Sequence, residues 1–316
     1  MSKPDQRQKS YEKLLRAGYI AAEALRYTCN LVNAGELLYT IAEKGEEYIR
    51  KLGGQPAFPI NLSIDHHAAH YTPPLTDPTV VPKKALVKVD LGAHVDGHIA
   101  DNARTVLVGD DDALHRLITA AETGVQAAIQ TIRAGIRVWT VSKSISNAIR
   151  KLHASPIENL TGHSIEPFNL HAGVSVPAIT RSHERYTSPR LQEHMVIAIE
   201  PFTTYSRNPI VDNLEAGHIF GFTQTRNPQS SKLRSLFSQM KVKFGQLPFA
   251  SRWMRELVEP KKIPSILNRL QNEGCIHNYP ILGLRDKKPI AQAEHTVIVQ
   301  PTGCIVTTLQ TQMGGS

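Results

Sequence analysis

Cysteine is scarce in this sequence. Its three residues, Cys29, Cys275 and Cys304, are an odd number at wide spacing, with no Cys-x-x-Cys. That excludes a disulfide framework and a cysteine-built zinc site. Long apolar runs are absent too. Stretches such as Val196-Ile197-Ala198-Ile199 fall far short of the ~20 residues a membrane-spanning helix needs. The opening Met1-Ser2-Lys3-Pro4-Asp5-Gln6 is polar and lacks the apolar core of a secretory signal. A soluble, cytoplasmic chain with no membrane partner is therefore expected. No Gly-x-Gly-x-x-Gly follows a strand-like run and no Walker motif is present, which argues against nucleotide chemistry. There is no Gly-x-Ser-x-Gly elbow, and no cysteine has an activating context, so covalent catalysis is disfavoured.

What is present is a chain of 316 residues, 41% hydrophobic, long enough to bury roughly 75% of its unfolded surface without staples. One large domain, or a domain carrying a smaller one, fits that length. The net charge of +8 is unevenly placed. Between Gly221 and Ile290 there are 13 Lys and Arg against 4 Asp and Glu, and the remainder is nearly balanced. Such a segment either faces a polyanion such as ribosomal RNA or solubilises a helical surface.

Apolar spacing of three and four predicts helices over 5–32 and 37–52, the latter closed by Gly53-Gly54. Six prolines between Pro56 and Pro82 mark loop and edge strand. Residues 85–90 and 99–108 read as a hairpin around Asp96-Gly97. Helices are expected over 111–133 and 138–153, a short buried strand over 195–200, basic helical pieces over 230–244, 251–257 and 264–274, and strands over 291–300 and 304–309. No repeat of 20–50 residues is evident. Hairpins and helix pairs in blocks, without strict alternation, indicate an α+β fold.

Asp90 and Asp101 sit on the two arms of the predicted hairpin. With Asp96-Gly97 as the loop, Asp101 faces Gly92. A loop one residue earlier opposes the two aspartates directly. Either way both carboxylates leave the same face, and like charges so close need a cation or a proton between them. Glu200 ends an apolar strand and Glu294 interrupts another, expensive places for unpaired carboxylates. With His163 as a nitrogen donor, these oxygens suit one or two divalent ions such as Mn, Fe, Co or Zn. His66 and His70 have i, i+4 spacing, but no His-Glu-x-x-His is present and prolines surround them, so a zinc-protease helix is rejected.

These residues carry a resemblance. Ala57-Phe58-Pro59 through Ala68-Ala69-His70-Tyr71-Thr72-Pro73, Lys88-Val89-Asp90-Leu91-Gly92-Ala93-His94 through Asp101, Asn159-Leu160-Thr161-Gly162-His163-Ser164-Ile165 with His171-Ala172-Gly173, Ala198-Ile199-Glu200 and Ala291-Gln292-Ala293-Glu294-His295-Thr296 together resemble the type II methionine aminopeptidases, in their short archaeal-like form. The resemblance implies the pita-bread fold, two pseudo-symmetric halves around a curved antiparallel sheet. It implies that Asp90, Asp101, His163, Glu200 and Glu294 hold two divalent metal ions, with Asp101 and Glu294 bridging them. One departure is Asp65-His66-His67, where the family usually has Asn and smaller or apolar residues.

The implied activity is removal of the N-terminal methionine from peptides and nascent chains with a small second residue. A hydroxide activated by the two metals attacks the first peptide bond, with Glu200 assisting proton transfer and His171 and His70 hydrogen-bonding the carbonyl oxygen and the amide. By the same resemblance Phe58, Leu170, Phe202 and Tyr279, with His70 and His171, line the methionine slot. The long interval between Glu200 and Glu294 exceeds any plain connection. It implies a small basic helical subdomain inserted at 208–280, the catalytic domain being 1–207 and 281–316. A monomer is expected, with ribosome association through the basic insertion. The alternatives are an Xaa-Pro aminopeptidase, whose His-x-x-Gly-x-x-x-His-Glu pattern the 162–171 stretch does not fit, and a non-catalytic ribosome- or nucleic-acid-binding module of the same fold.

Overall fold

The computed structural model describes residues 3–223 and 226–309. Helix α1 (Lys3–Asn30) and helix α2 (Leu38–Lys51) lead into a long hairpin, β1 (Ala85–Val95) and β2 (His98–Val108). Asp96 and Gly97 both take positive φ, 48° and 83°, the backbone a two-residue type I′ turn requires. The hairpin therefore closes at Val95↔His98, and Asp101 pairs with Gly92. Helix α3 (Asp112–Thr131) follows. Asp111 caps it by accepting from the Ala113 and Leu114 amides at 2.9 and 3.0 Å. Helix α4 (Val138–Lys151), β3 (Thr161–Ile165) and β4 (Val196–Ile199) come next.

Strand β5 (Asp212–Phe222), helices α5 (Ser231–Phe244) and α6 (Ile263–Asn272) and strand β6 (Ile276–Gly283) precede β7 (Ile290–Gln300). The central sheet is antiparallel, and its middle runs β1-β2-β7-β4-β3. Both helix pairs lie against one face of it. Val87, Val89 and Leu91 of β1 pack under α1 and α2, while Ile197, Ile199, Val297 and Val299 pack under α3 and α4. Strand side chains alternate between faces, so Asp90, between Val89 and Leu91, leaves from the opposite side.

The two halves repeat one unit. Two helices, a two-residue strand and a strand end at Ile64 in one half and at Ile165 in the other. Ala34-Gly35 and Ile49-Arg50-Lys51-Leu52 recur as Ala134-Gly135 and Ile149-Arg150-Lys151-Leu152. The repeat that the sequence did not show at 20–50 residues is there at twice that period and more, because the unit is a half-domain.

The segment expected as a helical insertion holds strands as well as helices. Strands β5 and β6, with Phe249–Ala250 and His67–Ala69, form a second sheet of four strands, and β6 runs past residue 280. The piece at Ser251–Glu256 is a 3-10 helix. Phe220, Phe237, Phe249, Trp253 and Leu267 form its core. Arg252, fully buried, fastens it to the rest. Its guanidinium donates to Thr72 Oγ1 at 2.6 Å and the Pro73 carbonyl at 3.1 Å, and to the carboxylates of Glu43 and Glu46. Arg255 also bonds Glu43, so part of the segment's positive charge is spent inward.

Candidate metal centre

Register alone places the five candidate ligands on one face. Asp90 has the parity of Gly92, which pairs with Asp101. Two residues on, Ala103 pairs with Glu294. Thr296, again two residues on, pairs with Ala198, and Ala198 pairs with His163. Glu200 shares the parity of Ala198. Five neighbouring strands, β1, β2, β7, β4 and β3, thus contribute one side chain each, Glu200 from just beyond the end of β4.

Asp101, His163 and Glu294 are buried, with 4, 6 and 2% of their surface exposed. One ligand atom from each of the three lies within 4.8 Å of the others. His163 Nε2 stands 3.4 Å from Glu200 Oε1 and 3.7 Å from Asp101 Oδ2. Asp90 Oδ1, Asp101 Oδ1 and Glu294 Oε1 are buried with no hydrogen-bond partner among the described residues. Buried carboxylate oxygens are normally satisfied. Orphaned oxygens converging beside an imidazole fit divalent cations, which such hard donors hold.

The electrostatics agree. Burial pushes the Asp90 carboxyl up to about 7. Burial, then the charge of Asp90, pushes Asp101 well above the carboxylate range. Glu200 and Glu294 rise for the same reasons, burial first and the neighbouring carboxylates second. Burial lowers His163 to about 3, with the nearby His171 adding to the effect, so its ring is neutral and keeps a lone pair for a metal. Four carboxylates that resist ionising together need protons or cations among them.

The cavity over this face has a volume of about 260 Å³. All eleven residues singled out from the sequence line it: the five ligands, His70, His171, Phe58, Leu170, Phe202 and Tyr279. His70 sits at φ 67°, a strained backbone for a non-glycine residue. Its Nδ1 is 3.1 Å from the Pro280 carbonyl oxygen, which can only accept, so Nδ1 carries the proton and Nε2 is left as an acceptor. Burial lowers His70 to about 4 and also lowers His171. Asp65, His66 and His67 are not among the lining residues. Asp65 instead accepts from the Leu86 amide and, through its carbonyl, from the buried Lys88 ammonium.

Sequence reading missed several residues here. Gln292 donates to Glu294 Oε2 at 3.2 Å. Thr296 Oγ1 holds both the amide and the carbonyl of Asp101, at 2.8 and 2.9 Å. Both lie two residues from Glu294, so their parity was available as a signal. Asn61, Asn159 and Pro248 also line the cavity; the first two lie in stretches that carry the resemblance but were given no role, and nothing in the sequence marked Pro248.

The metallopeptidase family M24 profile matches residues 12–230. Curated methionine aminopeptidases match further. That of Thermococcus onnurineus is 42% identical, covering 94% of this chain and 99% of its own length. That of Methanothermobacter thermautotrophicus is 38% identical, covering 95 and 99%. The chain belongs to the methionine aminopeptidases of family M24. Solved structures add the fold. A thermophilic Arx1 superposes with a TM-score of 0.81 at 16% identity over 95% of this chain and 90% of that one. The methionine aminopeptidase of Thermotoga maritima gives 0.68 at 20% identity over 96 and 97%. Methionine aminopeptidases and prolidases share this pita-bread fold, as the resemblance implied, and a metallopeptidase's divalent metal matches the orphaned carboxylates. Among the described residues no helix is long and apolar enough to cross a membrane.

Proposed function

We propose that this protein removes the N-terminal methionine from peptides and nascent chains whose second residue is small, as a monomer in the cytoplasm. One observation carries the reading: five neighbouring strands deliver four carboxylates and an imidazole to one face of a cavity. None of the five is replaced, which disfavours a non-catalytic module. The curated relatives, 36–42% identical, are methionine aminopeptidases and not Xaa-Pro enzymes.

Asp90, Asp101, His163, Glu200 and Glu294 would hold two divalent cations, of Co, Mn, Fe or Zn. When bound, such cations supply a nucleophile at neutral pH and Lewis acidity for the scissile carbonyl. The residues of the chain do the rest. Glu200 would assist proton transfer from the attacking water towards the leaving amine. His70 accepts the scissile amide N–H at Nε2, and His171 donates to the carbonyl oxygen as charge develops there. Phe58, Leu170, Phe202 and Tyr279 enclose the methionine side chain, where sulfur–aromatic contacts are worth ~0.3–1.5 kcal/mol each. Small second residues are selected by crowding at the cavity wall. The segment 208–280 is an inserted subdomain that closes one side of the cavity through Ile219, Pro248 and Tyr279, and its remaining surface cations would support ribosome association.

The test is methionine release from Met-Ala-Ser by metal-stripped protein, before and after adding Mn or Co, beside Asp101→Asn. Release that needs metal and vanishes in Asp101→Asn is expected. Divalent binding without release from any metal-loaded sample would assign a different substrate class.

A further inference from the structure

A second cavity, of about 350 Å³, lies against the first, and nothing in the reaction so far uses it. Pro248 lines both. Three separate pieces of chain pass directly from one to the other. Pro56 lines the second cavity and Phe58 the first, Phe168 the second and Leu170 the first, and the Leu247-Pro248 step joins them. The two cavities therefore adjoin at Pro248. An aminopeptidase substrate is anchored by its first residue, and the chain beyond the scissile bond must leave the metal centre along some path.

The outer cavity has a mixed lining, Arg50, Gln55 and His94 among it, and carries two exposed apolar side chains. Phe168 is 44% exposed and Val242 88% exposed, both on its lining. Phe168 is not a loose side chain. Its backbone sits at φ 59° in the tight Glu166–Asn169 turn, and its amide donates to the Gly97 carbonyl at 2.9 Å. The ring lies on Gly97 so closely that a Cβ there would come within 2.2 Å of it, and it stands 5.9 Å from the His94 ring. A strained backbone that holds an aromatic ring in solvent, over a glycine that makes room for it, suits a ring that meets a ligand. Lys243, on the same lining, is paired with Glu256 at 2.5 Å, which mutes its charge.

We propose that this outer groove binds the third to fifth residues of the substrate as an extended chain and favours an apolar or aromatic side chain there, seated on Phe168 and Val242. The proposal rests on the aminopeptidase reading and adds a specificity determinant beyond the second residue. Because the contact is equally available before and during reaction, it lowers KM and leaves kcat nearly unchanged.

The experiment compares Met-Ala-Ser, Met-Ala-Ser-Phe-Ala and Met-Ala-Ser-Ser-Ser on the metal-loaded protein. The Phe pentapeptide is expected to show a KM at least five-fold below both others. Val242→Ser and Phe168→Ser, made separately, should erase that advantage while turnover of the tripeptide, too short to fill the groove, stays within two-fold. Equal KM for the two pentapeptides overturns the proposal on the unmodified protein alone. Equal losses on all three peptides in both variants overturn it too, because they reveal a structural role. If the tripeptide and both pentapeptides fail to release methionine, the aminopeptidase reading itself has failed.

Discussion

The Arg252 guanidinium and the Glu46 carboxylate meet in the interior, 206 positions apart in sequence, and both are buried. Glu46 also accepts from Trp253 Nε1 at 2.7 Å and from the Ile60 amide at 3.2 Å. The pair joins the inserted subdomain to α2 and to the strap at Thr72-Pro73, two residues beyond His70. Removing one partner strands the other charge, which typically costs 3–5 kcal/mol. Arg252→Met and Glu46→Gln are each expected to lower the unfolding free energy, read from urea titration, by that order. The double variant should recover part of the loss, and strictly additive losses would refute the coupling.

The stability that Mn adds to the metal-stripped protein should grow as pH rises from about 4 to about 7. In the metal-free fold Asp90 goes from 3.8 to about 7, and Asp101, Glu200 and Glu294 also go up. In that window these four hold protons when folded that they lose when unfolded, so their contribution to stability falls with pH. Buried histidines act the other way: His67, His70 and His295 drop from 6.5 to about 4, and their contribution rises with pH. Those histidines are common to both samples, so the difference between the samples isolates the carboxyls. Urea midpoints in Mn compared with those in chelator decide it, and a difference that is flat or shrinks with pH would contradict the charge crowding.

His70→Ala should lower kcat by 10²–10³, within the usual range for a positioned proton-handling group, with metal binding intact. Protonation of His70 begins only near its folded value of about 4. Loss of activity between pH 7 and 5 therefore belongs to other groups, and His70→Asn should keep the shape of the acid limb. A limb that shifts in His70→Asn would assign the titration to this ring.

Charge reversal at Lys241, Lys243, Lys261 and Lys262 should abolish salt-sensitive co-sedimentation with ribosomes. Lys243 and Lys262 already pair with Glu256 and Glu259, so Lys241 and Lys261 should account for most of the effect. Unchanged binding would remove the basic segment as a docking surface.

Much of the centre was legible because its residues break local rules. Asp90 and Asp101 interrupt an apolar hairpin whose Asp96-Gly97 turn fixes their register, and Glu294 interrupts a largely buried strand. What joins them was not legible. Strand β7 enters between β2 and β4 after a long excursion, and nothing local in either neighbour specifies it. Strand β5, Asp212–Phe222, alternates too weakly for its pairing with β6 to be read. Arg252 looked like one more cation in a basic segment, because a buried charge is defined by partners far away in sequence. The half-domain repeat was visible in Ile-Arg-Lys-Leu, but only at a period longer than that of repeat proteins.

One residue from each of five strands also sets a clock. Asp90 is made early and Glu294 late, and no shorter piece of chain holds the full set. At ~5–20 residues per second, synthesis reaches the last of them some ~10–40 s after the first. During that interval the growing polypeptide carries an incomplete centre and can cleave nothing, its own first residue included. Any trimming of the growing copy within that interval falls to molecules already complete.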